Sequence, residues 1–278
     1  MDRPISLDDI STWPPELRTL ATIGSRHPAC QTRFTSDLEP SAEISKAIDA
    51  VLAEHGVVVY HCTRLMDFEA EDIRVNGLRT ASTELLKDKV TNACHRGFLT
   101  DEQAEHILAT GVLTSADQRS VRTNELCAVA NLHTIVVCGN GMQPYFQNWG
   151  GEITNFWQQS NRQILSALRR IGLPTLVAIH YRPSERDGHF PDLPKLVIGR
   201  WREHEDYSGE IHIRVAEDGR VPVLGIWSPD DDGWLPEAEH ATGRVPDPSS
   251  SSRLNNIAAD IIAAWGAAQD MVATDEER

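Results

Sequence analysis

The sequence predicts an α+β protein: a single body with a mixed or antiparallel sheet, helices inserted early in the chain and a helix at its C-terminal end. Two patterns predict this class. Short apolar runs that are typical of buried strands recur along the chain, and amphipathic runs with helical periodicity lie between them. The chain has 278 residues, of which 40% are hydrophobic. That is enough apolar surface to bury a sizeable core.

These two patterns place the individual elements. Helical periodicity covers residues 41–56, 67–76, 82–113 as two helices, and 164–171. Apolar runs of strand length cover residues 57–60, 126–130, 134–138, 175–181, 196–198, 210–215 and 221–227. Residues 217–219 are Glu-Asp-Gly, which is typical of a tight turn. We therefore expect the last two strands to form a hairpin.

Changes in composition divide the chain into four parts. Residues 1–40 are interrupted by proline, and we interpret them as an N-terminal arm rather than as core. Residues 41–228 make the α+β body. Residues 229–252 are acidic and rich in proline and serine, which is typical of a linker. Residues 253–278 make the C-terminal helix, and its apolar stripe consists of Leu254, Ile257, Ile261 and Trp265.

The net charge limits the class of partner. The chain has 26 basic and 41 acidic residues, a net charge of −15, which argues against general nucleic-acid binding and against an anionic membrane surface. Residues 228–278 contain 11 acidic and 3 basic residues, a net of −8, so the first 227 residues carry −7. The acidity therefore belongs disproportionately to the linker and tail, and it does not argue against a dinucleotide phosphate in the body.

Other features of the sequence favour the cytoplasm. The first residues lack the basic and apolar regions of a secretory signal, and no apolar run is long enough for a membrane helix. The five cysteines are scattered without a Cys-x-x-Cys pair, as expected of reduced thiols. We expect no metal, because the eleven histidines form no zinc motif and Asp230–Gly233 lacks the spacing of a calcium loop.

The most informative segment is a buried strand that ends in a histidine and a threonine. The apolar run 57–60 leads into His61, Cys62 and Thr63, a helical segment follows, and Asn76-Gly77-Leu78 ends it. This pattern resembles the first motif of the ADP-ribosyltransferase superfamily, in which a strand ends in His-Gly-Thr or a variant and the next helix runs into a Gly-Leu turn. Cys62 stands where that motif more commonly has glycine.

The resemblance implies roles for the matching residues. His61 would hydrogen-bond the ribose of NAD, and Thr63 with nearby backbone would hold the nicotinamide amide. NAD would then be a substrate bound in a cleft of the body. The family's middle motif contains a tyrosine and has no clear match here; Tyr145 and Tyr181 are candidates.

Cleavage of the nicotinamide–ribose bond also requires a carboxylate. The reaction passes through an oxocarbenium-like state, whose positive charge a carboxylate stabilises. Trp149-Gly150-Gly151-Glu152 is a candidate, because two glycines let the backbone approach a ligand closely. We predict that Glu152 and His61 are the catalytic pair, with Glu210 as the second choice of carboxylate. A plain turn at the glycines and a first-turn helix residue at Glu152 is the alternative.

The pyrophosphate of NAD would need cations. Arg119 and Arg122 precede the strand at residue 126, where guanidinium groups could bind a pyrophosphate through paired hydrogen bonds. Arg64 and Arg79 flank the His61 motif and could do the same. The predicted cofactor-binding set is His61, Thr63, Arg64, Arg119, Arg122 and Tyr145.

Three functions remain open from the sequence. The first is an NAD-dependent transferase that passes ADP-ribose to a protein, nucleic acid, small molecule or water. The second is a non-catalytic binding module that acts through its acidic tail and terminal helix, which could also join two copies of the chain. The third is a hydrolase or nuclease that uses His61, Glu152 and the acidic cluster at Asp230.

Overall fold

A computed structural model describes residues 4–32, 34–137, 145–154, 161–183, 193–203, 210–214 and 219–228. The helices are α1 (Pro15–Ser25), α2 (Ala42–His55), α3 (Asp67–Asn76), α4 (Thr83–His95), α5 (Asp101–Thr110), α6 (Ala116–Arg122), α7 (Leu132–Val137), α8 (Arg162–Leu168) and α9 (Leu193–Trp201). The strands are β1 (Val57–Leu65), β2 (Leu78–Arg79), β3 (Glu125–Val129), β4 (Leu173–Tyr181), β5 (Glu210–Arg214), β6 (Arg220–Val221) and β7 (Val223–Trp227). Single 3-10 turns lie at Ile10–Thr12, Pro28–Cys30, Thr35–Asp37, Val112–Thr114 and Gly151–Ile153.

The predicted α+β class is confirmed. The main sheet has the strand order β5-β3-β1-β4-β7, and every neighbouring pair is antiparallel. β1 lies in the centre and pairs with β4 along its whole length, from Val57 opposite Tyr181 to Leu65 opposite Leu173. β2 and β6 form a separate two-stranded sheet.

β1 is buried on both faces, as its continuous apolar run predicts. Val57 and Val59 belong to a core that contains side chains of α1, α2 and α9, whereas Val58 and Tyr60 belong to a second core with Leu132. A third cluster joins α4, α5 and α8 to Trp149. The strand that carries the His-x-Thr motif is therefore held from both sides by packed side chains, which makes it a rigid support for a site.

The interpretation of residues 1–40 as an arm is wrong for the part that the structure describes. Ile5, Leu7 and Trp13 are essentially inaccessible to solvent and belong to the core that contains Val57. The Ile5 amide donates to the carbonyl of Gly56 at 2.9 Å, and the Ile5 carbonyl accepts from the amide of Val58 at 2.8 Å. Proline breaks mark turns, but they do not show that the segments between them are exposed.

Two predicted strands are helices. Residues 134–138 were expected to form a strand, but residues up to 137 lie in α7, and residues 196–198 lie in α9. Both segments are short apolar runs, and a buried helix gives the same pattern as a buried strand. Pro194 near the start of α9 fits a helix N-terminus, where its missing N–H leaves no hydrogen bond broken.

The expected hairpin is also absent from the pairing of the described strands. β5 and β7 lie at opposite edges of the main sheet, with β3, β1 and β4 between them. The β6 residues between them in sequence pair with β2 instead. A turn motif defines a local bend, and long-range pairing decides which strands become neighbours.

Three of the sequence assignments concern residues outside the described ranges: the linker 229–252, the C-terminal helix 253–278 and the Asp230 cluster. Among the residues that the structure describes, no helix is both long enough and apolar enough to cross a membrane.

Candidate functional site

The His-x-Thr motif lies in the wall of a cavity of about 370 Å³. Residues of β1, β3, α3 and α4 line it, together with the segments around Tyr145 and Gly150. Ligand cavities in proteins usually measure roughly 300–1,000 Å³, so this one is large enough for a small molecule or for part of a dinucleotide. Because its walls come from the central strand and from helices packed on it, its shape follows from the fold.

His61 is fixed in this wall by a hydrogen bond to the neighbouring strand. Its Nδ1 lies 2.8 Å from the backbone carbonyl oxygen of Cys127 on β3. A carbonyl only accepts hydrogen bonds, so Nδ1 carries the hydrogen and the neutral ring keeps its lone pair on Nε2. Burial lowers the pKa of His61 below its ordinary 6.5, the hydrogen bond to Cys127 opposes this, and the positive charge of Lys89 lowers the pKa further. The ring is therefore uncharged at neutral pH, and its Nε2 can accept a hydrogen bond from a hydroxyl group.

Thr63 also lies in the cavity wall and is buried. Alternate residues of a strand face the same side, so Thr63 and His61 share one face of β1. The sequence motif thus brings an imidazole and a hydroxyl to one surface.

Arg64 and Arg119 have structural partners instead. The Arg64 guanidinium donates to the carbonyl oxygens of Phe146, Ile171 and Gly172, at 3.1, 3.1 and 2.6 Å. Arg119 donates to the carbonyls of the 3-10 turn before α6, at 2.8 and 3.1 Å. Neither arginine is among the residues that line the cavity, so we no longer assign them to the cofactor-binding set. Arg64 follows Thr63 by one residue and points to the other face of β1.

Arg122 and Arg79 do line the cavity. Arg122 Nη1 lies 3.7 Å from the Glu125 carboxylate and 3.7 Å from the Cys127 sulfur. Arg79 Nη1 lies 2.8 Å from the Asp88 carboxylate, and both of these side chains are partly exposed. The cavity therefore has two guanidinium groups in its wall, one at the end of α6 and one in β2.

The Gly-Gly turn forms another part of the wall. Gly150 and Gly151 have φ angles of +78° and +55°, a backbone region that favours glycine. A Cβ at Gly150 would overlap the side chain of Thr154. Both glycines line the cavity.

The two predicted carboxylates can be located only by their backbones. Glu152 lies in the 3-10 turn Gly151–Ile153, between two residues that line the cavity. Glu210 begins β5 opposite Val129, which also lines the cavity. The side chains of Glu152 and Glu210 lie outside the described part of the structure. Of the two candidate tyrosines, Tyr145 lines the cavity, whereas Tyr181 pairs with the first residue of β1.

Sequence reasoning missed a group of charged residues in the cavity wall. The charged residues missed in this way are Lys89, Glu69, Asp72, Asp88 and Glu125, which line the cavity with His61, Arg79 and Arg122. Most of them lie on α3 and α4, where charged residues are typical of an exposed helical face. The one signal in the sequence was Glu69 at the third position of α3, where a glutamate forms a capping box.

Both carboxylate oxygens of Glu69 have partners. One oxygen, Oε2, accepts from the Met66 amide at 2.8 Å and from the Trp149 indole N–H at 2.7 Å. The other, Oε1, is paired with the Lys89 ammonium. Lys89 also lies over the Trp149 ring, 4.9 Å from its centroid. Both charged side chains are almost completely buried.

The fold and the cavity define an α+β protein with a ligand-sized cavity beside its central strand. In comparisons with known proteins, no family model, curated protein or solved structure matches the chain. Within the described residues, no group of three or more His, Cys, Asp or Glu side chains is arranged to hold a metal ion.

Proposed function

We propose that the protein binds NAD in this cavity and cleaves its nicotinamide–ribose bond, transferring ADP-ribose to an acceptor or to water. The observation that carries the proposal is that His61 and Thr63 share one cavity wall with Arg79, Arg122 and several carboxylates. The first two residues belong to the segment that resembles ADP-ribosyltransferases. The arginines are independent of that resemblance and supply the chemistry that a pyrophosphate needs.

Three parts of NAD would have a complementary group in the cavity wall. The lone pair on Nε2 of His61 would accept a hydrogen bond from a ribose hydroxyl, and Thr63 would hold the nicotinamide amide with nearby backbone. Arg79 and Arg122 would bind the pyrophosphate oxygens. Their present partners are the Asp88 and Glu125 carboxylates, so NAD binding would exchange one anionic partner for another.

The chemistry needs positioning and one carboxylate. As the bond between the anomeric carbon and the nicotinamide nitrogen breaks, its electron pair leaves with nicotinamide and positive charge develops on the ribose. A carboxylate stabilises that charge. The acceptor oxygen or nitrogen then bonds to the anomeric carbon and gives up a proton, which the same carboxylate can take. We propose Glu152 for this role, because residues on both sides of it line the cavity.

We also propose that the protein acts in the cytoplasm. The described cysteines 30, 62, 94 and 127 form no disulfide, which fits a reducing compartment. The alternative of a binding module that acts through the acidic tail rests on residues 229–278, outside the described ranges, and it stays a prediction.

The proposal is tested by adding NAD to the purified full-length chain. About 1 mM NAD, at the upper end of ordinary KM values, should raise the melting temperature and release nicotinamide. The variant His61→Ala should lose both effects. His95→Ala at the exposed end of α4 is the matched control and should keep both. If the wild-type chain shows neither a thermal shift nor nicotinamide release, with or without cell lysate as a source of acceptor, the proposal is wrong.

A further inference from the structure

Three segments that are distant in sequence meet at the Glu69 carboxylate. Glu69 belongs to α3, Lys89 to α4, and Trp149 to the segment that leads into the Gly-Gly turn. The carboxylate accepts from the Trp149 indole and pairs with the Lys89 ammonium, which in turn lies over the indole ring. Every pair among these three side chains is therefore in contact.

Trp149 connects the Glu69–Lys89 ion pair to the cavity wall. Its side chain is fully buried, and its amide donates to the carbonyl of Leu168 at 3.2 Å. Its carbonyl accepts from the Thr154 hydroxyl, which closes the turn from the other side. Gly150 and Gly151, the next two residues, line the cavity. The position of their backbone thus depends on where Trp149 is held.

A buried ion pair adds little net stability to the packing of a tryptophan. Removing both charges from water costs about as much as their attraction returns, and an apolar pair of similar size often stabilises a core equally well. Here the pair also lines the cavity, and the Lys89 charge reaches His61, whose pKa it lowers. An apolar pair would hold the indole but would not provide that charge.

We propose that Glu69 and Lys89 are positioning residues of the ligand site: their buried ion pair, bonded to Trp149, fixes the Gly150–Gly151 backbone as a wall of the cavity that contains His61. This assignment deepens the proposed function and rests on it for the identity of the ligand. The role is to set the affinity for the ligand, and the bond-breaking step belongs to other residues.

Two measurements on the full-length chain test the assignment. The first is amide hydrogen exchange of Gly150 and Gly151 without ligand. Lys89→Met and Glu69→Gln should each speed this exchange about tenfold or more, because a turn that loses its anchor opens more often. Lys89→Arg, which keeps the charge, should restore slow exchange. Lys87→Met and Glu71→Gln, at exposed positions of the same helices, are the matched controls.

The second measurement is the affinity for NAD and the turnover of bound NAD. We expect the Kd and KM of Lys89→Met to rise about tenfold or more, while kcat changes far less, because a displaced wall weakens binding before it affects chemistry. A general loss of folding would reduce the active fraction instead and leave KM unchanged. Glu69→Gln keeps an acceptor for the Met66 amide and the indole, so it provides a second folded variant if Lys89→Met unfolds.

The outcomes separate this assignment from the proposed function. If the wild-type chain does not bind NAD, the proposed function fails, and the exchange of Gly150 and Gly151 alone decides the positioning role. Unchanged exchange in both Lys89→Met and Glu69→Gln overturns that role. Faster exchange with an unchanged Kd for NAD overturns it too, because the wall would then move without any effect on the ligand.

Discussion

The His61 ring on β1 is hydrogen-bonded through Nδ1 to the carbonyl oxygen of Cys127 on β3, at 2.8 Å. This contact joins the two strands where their side chains enter the cavity, and it fixes which ring nitrogen carries the hydrogen. An uncharged ring with a lone pair on Nε2 can accept a hydrogen bond from a ribose hydroxyl.

NAD affinity should therefore depend on pH through His61. Burial lowers the pKa of this group below 6.5, so the ring stays neutral at pH 7 and becomes protonated only at a more acidic pH. We expect the Kd for NAD to be constant near neutral pH and to rise as the pH falls below 6.5. Because the Lys89 charge contributes to the low pKa, Lys89→Met should move this rise to a higher pH.

The measurement is a series of NAD titrations from pH 5 to 8, a range that brackets the ordinary histidine pKa of about 6.5. His95→Ala should reproduce the wild-type profile. A Kd that increases as the pH rises above 6.5, or a wild-type Kd that does not change with pH, contradicts a neutral His61 as the hydrogen-bond acceptor.

Glu152→Gln should separate binding from chemistry. The amide keeps the size of the side chain but lacks the negative charge that stabilises the developing cation. We expect nicotinamide release to fall about 100-fold or more, while the NAD-dependent thermal shift remains. Glu84→Gln in the first turn of α4 is an exposed control. Full turnover in Glu152→Gln would move the role to another carboxylate, with Glu210 as the next to test.

Gly150→Ala should destabilise the protein more than Gly97→Ala. Both glycines have a φ angle near +75°, so both substitutions carry the cost of a left-handed backbone, about 1 kcal/mol. Only Gly150 has a neighbour, Thr154, that the new methyl group would overlap; Gly97 has open space. We expect an additional loss of roughly 1–3 kcal/mol at Gly150. Urea unfolding of both variants provides the comparison, and equal losses would show that the turn at Gly150 is not tightly packed.

Asp8 should make the free energy of unfolding depend on pH between about 4 and 6. Burial raises the pKa of this carboxyl from 3.8 to about 6, against the hydrogen bond from Leu132 and the charge of Arg200. A raised carboxyl pKa adds stability when the group is protonated. The contribution is fully present below pH 3.8 and is lost as the pH rises through about 6. It amounts to at most about 3 kcal/mol.

The check is the difference in unfolding free energy between wild type and Asp8→Asn, measured at several pH values. The other titrating groups contribute equally in both proteins, so their contributions cancel in this difference. The difference should shift in favour of the wild type as the pH falls from 7 to 4. A difference that does not vary with pH would mean that Asp8 titrates normally.

Much of the helix and strand content near the site could be predicted from local pattern. The β1 strand, the α2 and α3 helices and the glycines that end them follow from apolar periodicity and capping, which are properties of neighbouring residues. The predicted α3 range of residues 67–76 coincides with the helix in the structure. Local rules suffice there because local propensity and tertiary packing favour the same conformation.

The predictions that were wrong concern contacts between residues that are distant in sequence. Trp13 lies near two prolines and seemed to belong to an arm, but its ring stacks on Trp201, with 6.1 Å between the ring centroids. The charged residues of the cavity wall could not be predicted for the same reason. Glu69 and Lys89 are 20 positions apart, and nothing in their spacing indicates that a tryptophan 60 residues later completes the pair. Nothing in the sequence distinguishes Arg64 from Arg122. The two differ in the direction of the side chain: Arg64 donates to backbone carbonyls, whereas Arg122 lines the cavity.

The central claim, that NAD binds against His61, is tested most directly by nitrogen NMR of the histidine side chains during a titration with NAD. We predict that the Nε2 resonance of His61 shifts on binding, as expected of a lone pair that gains a hydrogen-bond donor, while Nδ1 stays protonated on the Cys127 carbonyl. The resonances of His95, at the exposed end of α4, should not move. Unchanged His61 resonances at saturating NAD would contradict the claim.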